Sequence, residues 1–335
     1  MVPLVLKQWL QHACPLPIDA LHEMAGDASF RRYFRLHSGQ QSFVVMDASL
    51  QLDCCEPYVA IAKTLQQSGI AVPSVIAQDL KKGYMLISDF GDRLYLKELN
   101  QNNADRLYKT AMNTLSVLQT CPEVKDWVVP DFNQKLMQHE LDEFKFWFLD
   151  RYLKRSCSQR DQNMLHTTFT QLIETASEQE QVFMHRDYHS ANLLVLPSTK
   201  DEQEQTGVLD FQDACKGPIT YDLVSLLRDC YIHWPEEKVT QWVSYYYEIV
   251  REQNPRIKHV SLEKWMQWFD WMGMQRHMKA IFIFARKHLR DHTTNYLQHI
   301  PRTLQYVVSV SGRYPEFQTF HAYMKEIAGL DLCAQ

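Results

Sequence analysis

The stretch from Val182 to Cys230 constrains this chain more than any other. It runs VFMHRDYHSANLLVL, breaks into the polar loop PSTKDEQEQTG at residues 197 to 207, and resumes as VLDFQDACKGPITYDLVSLLRDC. Asp187 stands five residues before Asn192, which leads into the apolar run Leu193 to Leu196. Asp210 closes a second short apolar run, Val208-Leu209, and Asp213 follows three residues later. Short apolar runs bounded by turn residues read as buried strands. The pattern is therefore two strands with oxygen-bearing side chains at their ends. Phosphoryl transfer divides its work this way: one carboxylate takes the proton of an attacking hydroxyl, while an amide oxygen and a second carboxylate hold magnesium against the phosphates. Hard oxygen ligands are what that ion requires.

Together with GDASFRRYFRL (Gly26 to Leu36) and LISDFGD (Leu86 to Asp92), this stretch resembles the aminoglycoside-phosphotransferase-like kinases, a small-molecule branch of the protein-kinase fold. GDASFRRYFR and KGPITYDLVSLLRDCY carry a narrower likeness, to bacterial anomeric sugar kinases acting on N-acetylmuramate and N-acetylglucosamine in cell-wall recycling. The resemblance runs through to the C-terminal helices. It implies an α+β fold of two lobes, a small β-rich lobe over residues 1–90 and a larger, mostly helical lobe over residues 91–335. ATP and Mg2+ would be the cofactors and a small sugar the acceptor. Asp187 would be the catalytic base or orienting carboxylate, with Asn192 and Asp210 on the metal. The turn Gly26-Asp27-Ala28-Ser29 with Arg31 would meet the phosphates, and backbone groups of Ile87, Ser88 and Asp89 would meet the adenine edge. His185 and Asp222 would be structural, Asp222 tying its helix to backbone amides of the catalytic loop. Acceptor candidates are His189, Glu143 and Trp147, with Arg228 for the lactyl carboxylate of N-acetylmuramate.

Read by themselves, several of these residues keep two meanings. One glycine at position 26 fits an ordinary turn as well as a phosphate cradle. Arg31, Arg32 and Arg35 are either phosphate-facing cations or solvated strand charges. Glu56 is either the partner acid of a kinase or a helix N-terminal acid complementing the dipole. The second strand lacks the lysine a kinase carries, FVVMDA offering Met46 and Asp47 instead, so the neutralising cation falls to Arg31, Arg32 or Lys63. His185 and His189 are four apart, but no glutamate follows the first histidine and no third ligand is near, which argues against zinc. No DFG or APE signature follows Asp210, which argues against a protein kinase. A kinase of another hydroxylated molecule stays open, since Glu140, Asp142, Glu143 and Asp150 would suit a polycationic antibiotic. A non-catalytic nucleotide-binding module stays open because of the missing lysine.

Composition sets the outer limits. The 335 residues are 45% apolar, enough for a large core in two lobes. A net charge of −5 gives no electrostatic footprint for nucleic acid. No apolar run approaches the roughly 18 residues of a membrane span, and no secretion signal opens the chain. Eight scattered cysteines without CxxC spacing fit reduced thiols, hence a cytoplasmic protein with no obligate protein partner implied.

Periodicity predicts a short helix before Pro17, a hairpin over 29–46, a helix over 58–67 and a strand over 84–87. Further helices are expected over 100–119, 131–153 and 158–180. Gly217-Pro218 reads as a turn, Trp265, Trp268 and Trp271 as one packed face, and Arg276, Lys279, Arg286, Lys287 and Arg290 as a basic face that is either solvated or lends one arginine to an anion. Asp291 to Arg302 reads as a helix stopped by Pro301.

Overall fold

The structure, a computed structural model, describes residues 2–24, 31–197 and 204–330. The chain opens with helix α1 (Leu4–Ala13), strands β1 (Ala20–Glu23), β2 (Arg32–Ser38) and β3 (Gln41–Asp47), and helix α2 (Cys55–Gln67). Strands β4 (Val75–Asp79) and β5 (Tyr84–Ser88) and helices α3 (Tyr95–Glu98) and α4 (Ala104–Gln119) follow. Then come α5 (Gln134–Glu143), a π-helical segment (Phe144–Tyr152) and α6 (Gln159–Glu178). Four short strands, β6 (Gln181–Met184), β7 (Leu193–Leu196), β8 (Gln205–Val208) and β9 (Cys215–Pro218), carry the signature stretch. Helices α7 (Tyr221–Leu227), α8 (Glu236–Gln253), α9 (Leu262–Asp291), α10 (Ile300–Ser311) and α11 (Gln318–Ala328) complete the chain.

These elements form two compact units. The first comprises residues 1–101, 120–129 and 191–214, and the second comprises 102–119, 130–190 and 215–335. The first is built on an antiparallel sheet of order β1-β2-β3-β5-β4. Alternation in β2 and β3 turns Phe34, Leu36, Phe43 and Val45 to one face, where they join Leu86 and the α1 residues Leu6 and Leu10. Leu6 and Leu10, four apart, lie on one side of their helix, and burying each contributes on the order of 2 kcal/mol. The β7–β8 hairpin belongs to this unit. Val195 N donates to Arg93 O at 2.8 Å, and Val208 N donates to Ala71 O at 2.8 Å, so both its edges are held.

The second unit is helical around α9, a 30-residue helix capped by Ser261, whose hydroxyl accepts from Lys264 N. Trp265, Trp268 and Trp271 are all buried along it but meet different partners, Trp265 packing on Tyr246 and Tyr247 of α8 and Trp271 on Tyr314 and Phe317, which corrects the single packed face expected. Strands β6 and β9 pair antiparallel within this unit, Val182 opposite Gly217. Gly217-Pro218 is thus the end of a strand, correcting the turn expected there. A Cβ on Gly217 would lie 2.7 Å from Met184 Sδ, so the glycine serves close approach.

Two helix readings also change. The helix expected over 131–153 starts at Gln134, where the Asn133 side chain accepts from Leu136 N, and beyond Glu143 it widens to π geometry through Tyr152. Pro301 stops nothing. It sits in the first turn of α10, where its missing N–H is no loss, while α9 ends at Asp291 with His292 left-handed at φ 54°. No helix among the described residues is long and apolar enough to cross a membrane.

Candidate active site

The signature stretch divides between the units. Asp187 lies in the helical unit, and Asn192 and Asp210 lie in the first.

In the helical unit, β6 ends at Met184 and the chain enters HRDYHS. Two buried aspartates hold this loop. Asp222, in the first turn of α7, accepts from His185 N (2.7 Å) and Arg186 N (3.0 Å). Asp229 accepts from Ser190 N (3.0 Å) and from the Ser190 hydroxyl, while its other oxygen takes Tyr231 N at 2.9 Å. Between the anchors Tyr188 is buried and donates to Ala111 O at 2.9 Å. His185 is buried, its Nδ1 accepting from Asp187 N at 3.2 Å, with its ring edge-on to Tyr188. Arg186 adopts φ 74°, a left-handed conformation that a side chain disfavours and that surrounding bonds must hold. Asp229 was not singled out from sequence. No local pattern distinguishes it from a surface charge, because its partner lies 39 residues away.

Burial by itself would raise the Asp187 carboxyl. Lys279, His189, Arg276 and Arg186 outweigh that and hold it well below the usual carboxylate range. Asp187 is therefore ionised at neutral pH. Two of these cations correct the reading of α9: Arg276 is 6% exposed and the Lys279 side chain 11%, so this part of the basic stretch faces inward. Helical periodicity placed the charges on one stripe but could not say which neighbour that stripe meets.

In the first unit the register Leu193–Val208 puts Asn192 and Leu209 opposite each other at the open end of the β7–β8 hairpin. Leu209 N donates to Asn192 O at 3.0 Å. Asp210 follows at φ 60°, with Phe211 buried against the Tyr58 ring of α2 at 4.7 Å. Its side chain is 33% exposed, and its Oδ1 accepts from Arg31 Nη2 (2.9 Å) and Gln212 Nε2 (3.0 Å). Gln212 Nε2 also donates to Asp213 Oδ2 at 3.1 Å. Asn192, Asp210 and Asp213 bring to one hairpin end the hard-oxygen donor types Mg2+ takes, although among the described residues no cluster of three or more His, Cys, Asp and Glu is placed to hold a metal.

Of the cations considered for the missing lysine, Arg31 pairs with a candidate metal ligand, Asp210. Arg32 pairs with the buried Asp47 on β3, and Lys63 is exposed on α2, as is Glu56. Arg35 binds Asp89 and Asp92, each at 2.7 Å, and thereby holds the Asp92 carboxyl below the usual range. At the β5 end, Ile87 is buried and Ser88 N donates to Ser74 O at 2.9 Å. Gly26, Asp27, Ala28 and Ser29 lie outside the described residues.

The acceptor candidates differ in setting. The His189 ring stands edge-on to Tyr231 at 5.6 Å. Trp147, within the π-helical segment, donates from Nε1 to Glu143 at 2.9 Å, and Arg286 faces the same carboxylate at 3.8 Å. Arg228 is fully buried. Its guanidinium meets Asp270 at 2.7 Å, reaches Glu236, and lies over the Phe269 ring, so its charge is compensated within the core.

Residues 20–255 match the model of the phosphotransferase enzyme family. The chain belongs to that family. Among its relatives, the N-acetylmuramate/N-acetylglucosamine kinase of Pseudomonas aeruginosa is 36% identical, the alignment covering 93% of this chain and 92% of that protein. A protein of the same description from Neisseria meningitidis is 35% identical over 97% of this chain and 95% of its own length. The fold is shared with the GDP complex of aminoglycoside 2'-phosphotransferase-IIIa, at TM-score 0.62 and 14% identity, covering 92% of this chain and 98% of that one. Choline kinase LicA from Streptococcus pneumoniae also shares it, at TM-score 0.62 and 10% identity over 91% and 98%. The protein-kinase-like α+β architecture expected from the sequence is therefore found, and the protein is a phosphotransferase.

Proposed function

We propose that this phosphotransferase moves the γ-phosphoryl group of ATP to the anomeric hydroxyl of N-acetylmuramate, N-acetylglucosamine or both, forming the 1-phosphate for cell-wall recycling in the cytoplasm. The relatives described as kinases of those two sugars support the acceptor, and the observation that carries the mechanism is the half-buried, ionised Asp187 in a loop anchored by Asp222 and Asp229. A carboxylate held below its usual range is a weak base but a strong hydrogen-bond acceptor. It orients the sugar hydroxyl and takes its proton late, as the new O–P bond forms and the bond to the β-phosphate oxygen breaks. An anomeric hydroxyl is more acidic than an ordinary alcohol, so modest assistance suffices. In this reading Asn192 and Asp210 hold Mg2+, which neutralises phosphate charge when bound. Arg31, already on Asp210, turns to the phosphates and stands in for the absent lysine. Residues 1–90 serve as the nucleotide lobe, with the 87–89 backbone at the adenine and the phosphate role of residues 26–29 resting on the family resemblance alone. Residues 91–335 supply the acceptor lobe, and His189, Glu143 and Trp147 face the sugar.

Burial of Glu140 in ion pairs removes one acid from the set that would suit a polycationic antibiotic. The test is ATP turnover against N-acetylmuramate, N-acetylglucosamine, glucose, an aminoglycoside and choline, with NMR identification of the product. A sugar 1-phosphate from the N-acetylated pair is expected. Turnover of another acceptor alone would retain the phosphotransferase and discard the cell-wall assignment.

A further inference from the structure

We propose that Glu140 is a positioning residue for phosphoryl transfer, acting through Arg186 on the carboxylate of Asp187. This rests on the role given to Asp187 above. Glu140 lies on α5 with its side chain 6% exposed, and a buried carboxylate persists only where partners compensate it. It has three. Arg186 Nη2 is 3.1 Å from Oε1, Gln275 Nε2 donates to Oε2 at 2.9 Å, and Lys279 Nζ is 3.6 Å from Oε1. Lys279 Nζ also donates to the Tyr221 hydroxyl at 3.0 Å, while the Arg186 guanidinium lies over the Phe132 ring at 6.0 Å.

Arg186 is the critical partner, because it immediately precedes Asp187 and holds φ 74°. Asp222 fixes its amide and Glu140 fixes its side chain, so backbone and guanidinium are anchored from different helices, α7 and α5. A residue secured at both ends cannot relax to an ordinary conformation without breaking a buried bond. Its neighbour's carboxylate inherits the orientation. Glu140 also draws on two of the cations that keep Asp187 ionised, Arg186 and Lys279. Removing its charge would free both to lean onto Asp187 and occupy the oxygens that the acceptor hydroxyl needs.

The experiment is a double-variant cycle on the full-length protein, with folding checked by circular dichroism and melting temperature. Glu140→Gln is expected to lower kcat with the sugar about tenfold to hundredfold, the cost of a misplaced reacting group, with KM for ATP changed by no more than about twofold. Arg186→Gln is expected to act alike, and the double variant to be no worse than the poorer single one, because coupled residues are non-additive. Folded Glu140→Gln with near-normal kcat, or losses that multiply, would overturn the proposal. If Glu140→Gln does not fold, Arg186→Lys decides. Keeping a cation for Glu140, it is expected to retain more turnover than Arg186→Gln, and equal loss overturns the idea. Asp187→Asn is measured in parallel. An active Asp187→Asn enzyme would sink the role given to Asp187, whereas an inactive one beside a normal Glu140→Gln enzyme sinks only the inference.

Discussion

The HRDYHS loop of the helical unit and the hairpin end of the first unit carry the same kind of side chain among different partners. Asp187 is half-buried under the charges of Lys279, His189, Arg276 and Arg186, in a loop whose ends are tied to Asp222 and Asp229. Asp210 is one-third exposed and held by one arginine and one glutamine. A field of nearby cations holds Asp187 ionised before any substrate arrives, the kind of arrangement electrostatic catalysis uses. In the proposed mechanism Asp210 exchanges its arginine for the metal ion. In that mechanism Asp187 keeps its partners and Asp210 trades one of its own.

The largest effect should come from Asp187. Asp187→Ala is expected to lower turnover about a hundredfold to ten-thousandfold while ATP binding persists. Activity within about tenfold of the parent would remove Asp187 from its role. Single-turnover kinetics beside equilibrium nucleotide binding separates the two quantities.

A second prediction sharpens the contrast within the helical unit. Burial pushes the Asp222 carboxyl up to about 6, although His185 and two backbone amides pull it back. A carboxyl raised in the folded state holds its proton while the unfolded chain has lost it. Stability from Asp222 is then fully present below about pH 4 and falls as pH rises towards 6, by roughly 3 kcal/mol. Asp187, shifted the other way, keeps its contribution above pH 4 and loses it only at lower pH. The slope of melting temperature between pH 4 and 6 should therefore be less negative in Asp222→Asn than in the parent. Identical slopes would mean that the amide bonds have cancelled the effect of burial.

On the exchanging side, Arg31→Met is expected to raise KM for ATP about tenfold, the scale of one charge-assisted hydrogen bond, with little change in KM for the sugar. An unchanged KM for ATP would leave Arg31 as a resting partner of Asp210 only.

What the sequence made legible follows the same division. Asp187, Asn192 and Asp210 stand out because strand-like runs flank them at short spacing, so local pattern fixes their place. Asp222 is legible for a similar reason, as an acid at a helix start. Asp229, Glu140 and the inward turn of Arg276 and Lys279 are not. Their meaning depends on partners far along the chain, such as Gln275, 135 residues from Glu140. Pro301 and Gly217 failed differently: each has two physical uses, and periodicity does not say which applies.

The smallest predicted effect concerns Trp147. An ordinary helix would have continued past Glu143, but π geometry from Phe144 to Tyr152 shifts the side-chain spacing, and such segments recur at functional sites. Trp147 is half-buried and spends its N–H on Glu143, whose carboxylate also faces Arg286. Trp147→Phe keeps the ring face and deletes that bond, which should cost about 1 kcal/mol of stability or less. If the ring faces the sugar while the bond sets its tilt, KM for the sugar rises about threefold and KM for ATP stays fixed. Equal, small changes in both would class Trp147 with the packed aromatics of α9, and the acceptor wall would then have to be sought nearer His189.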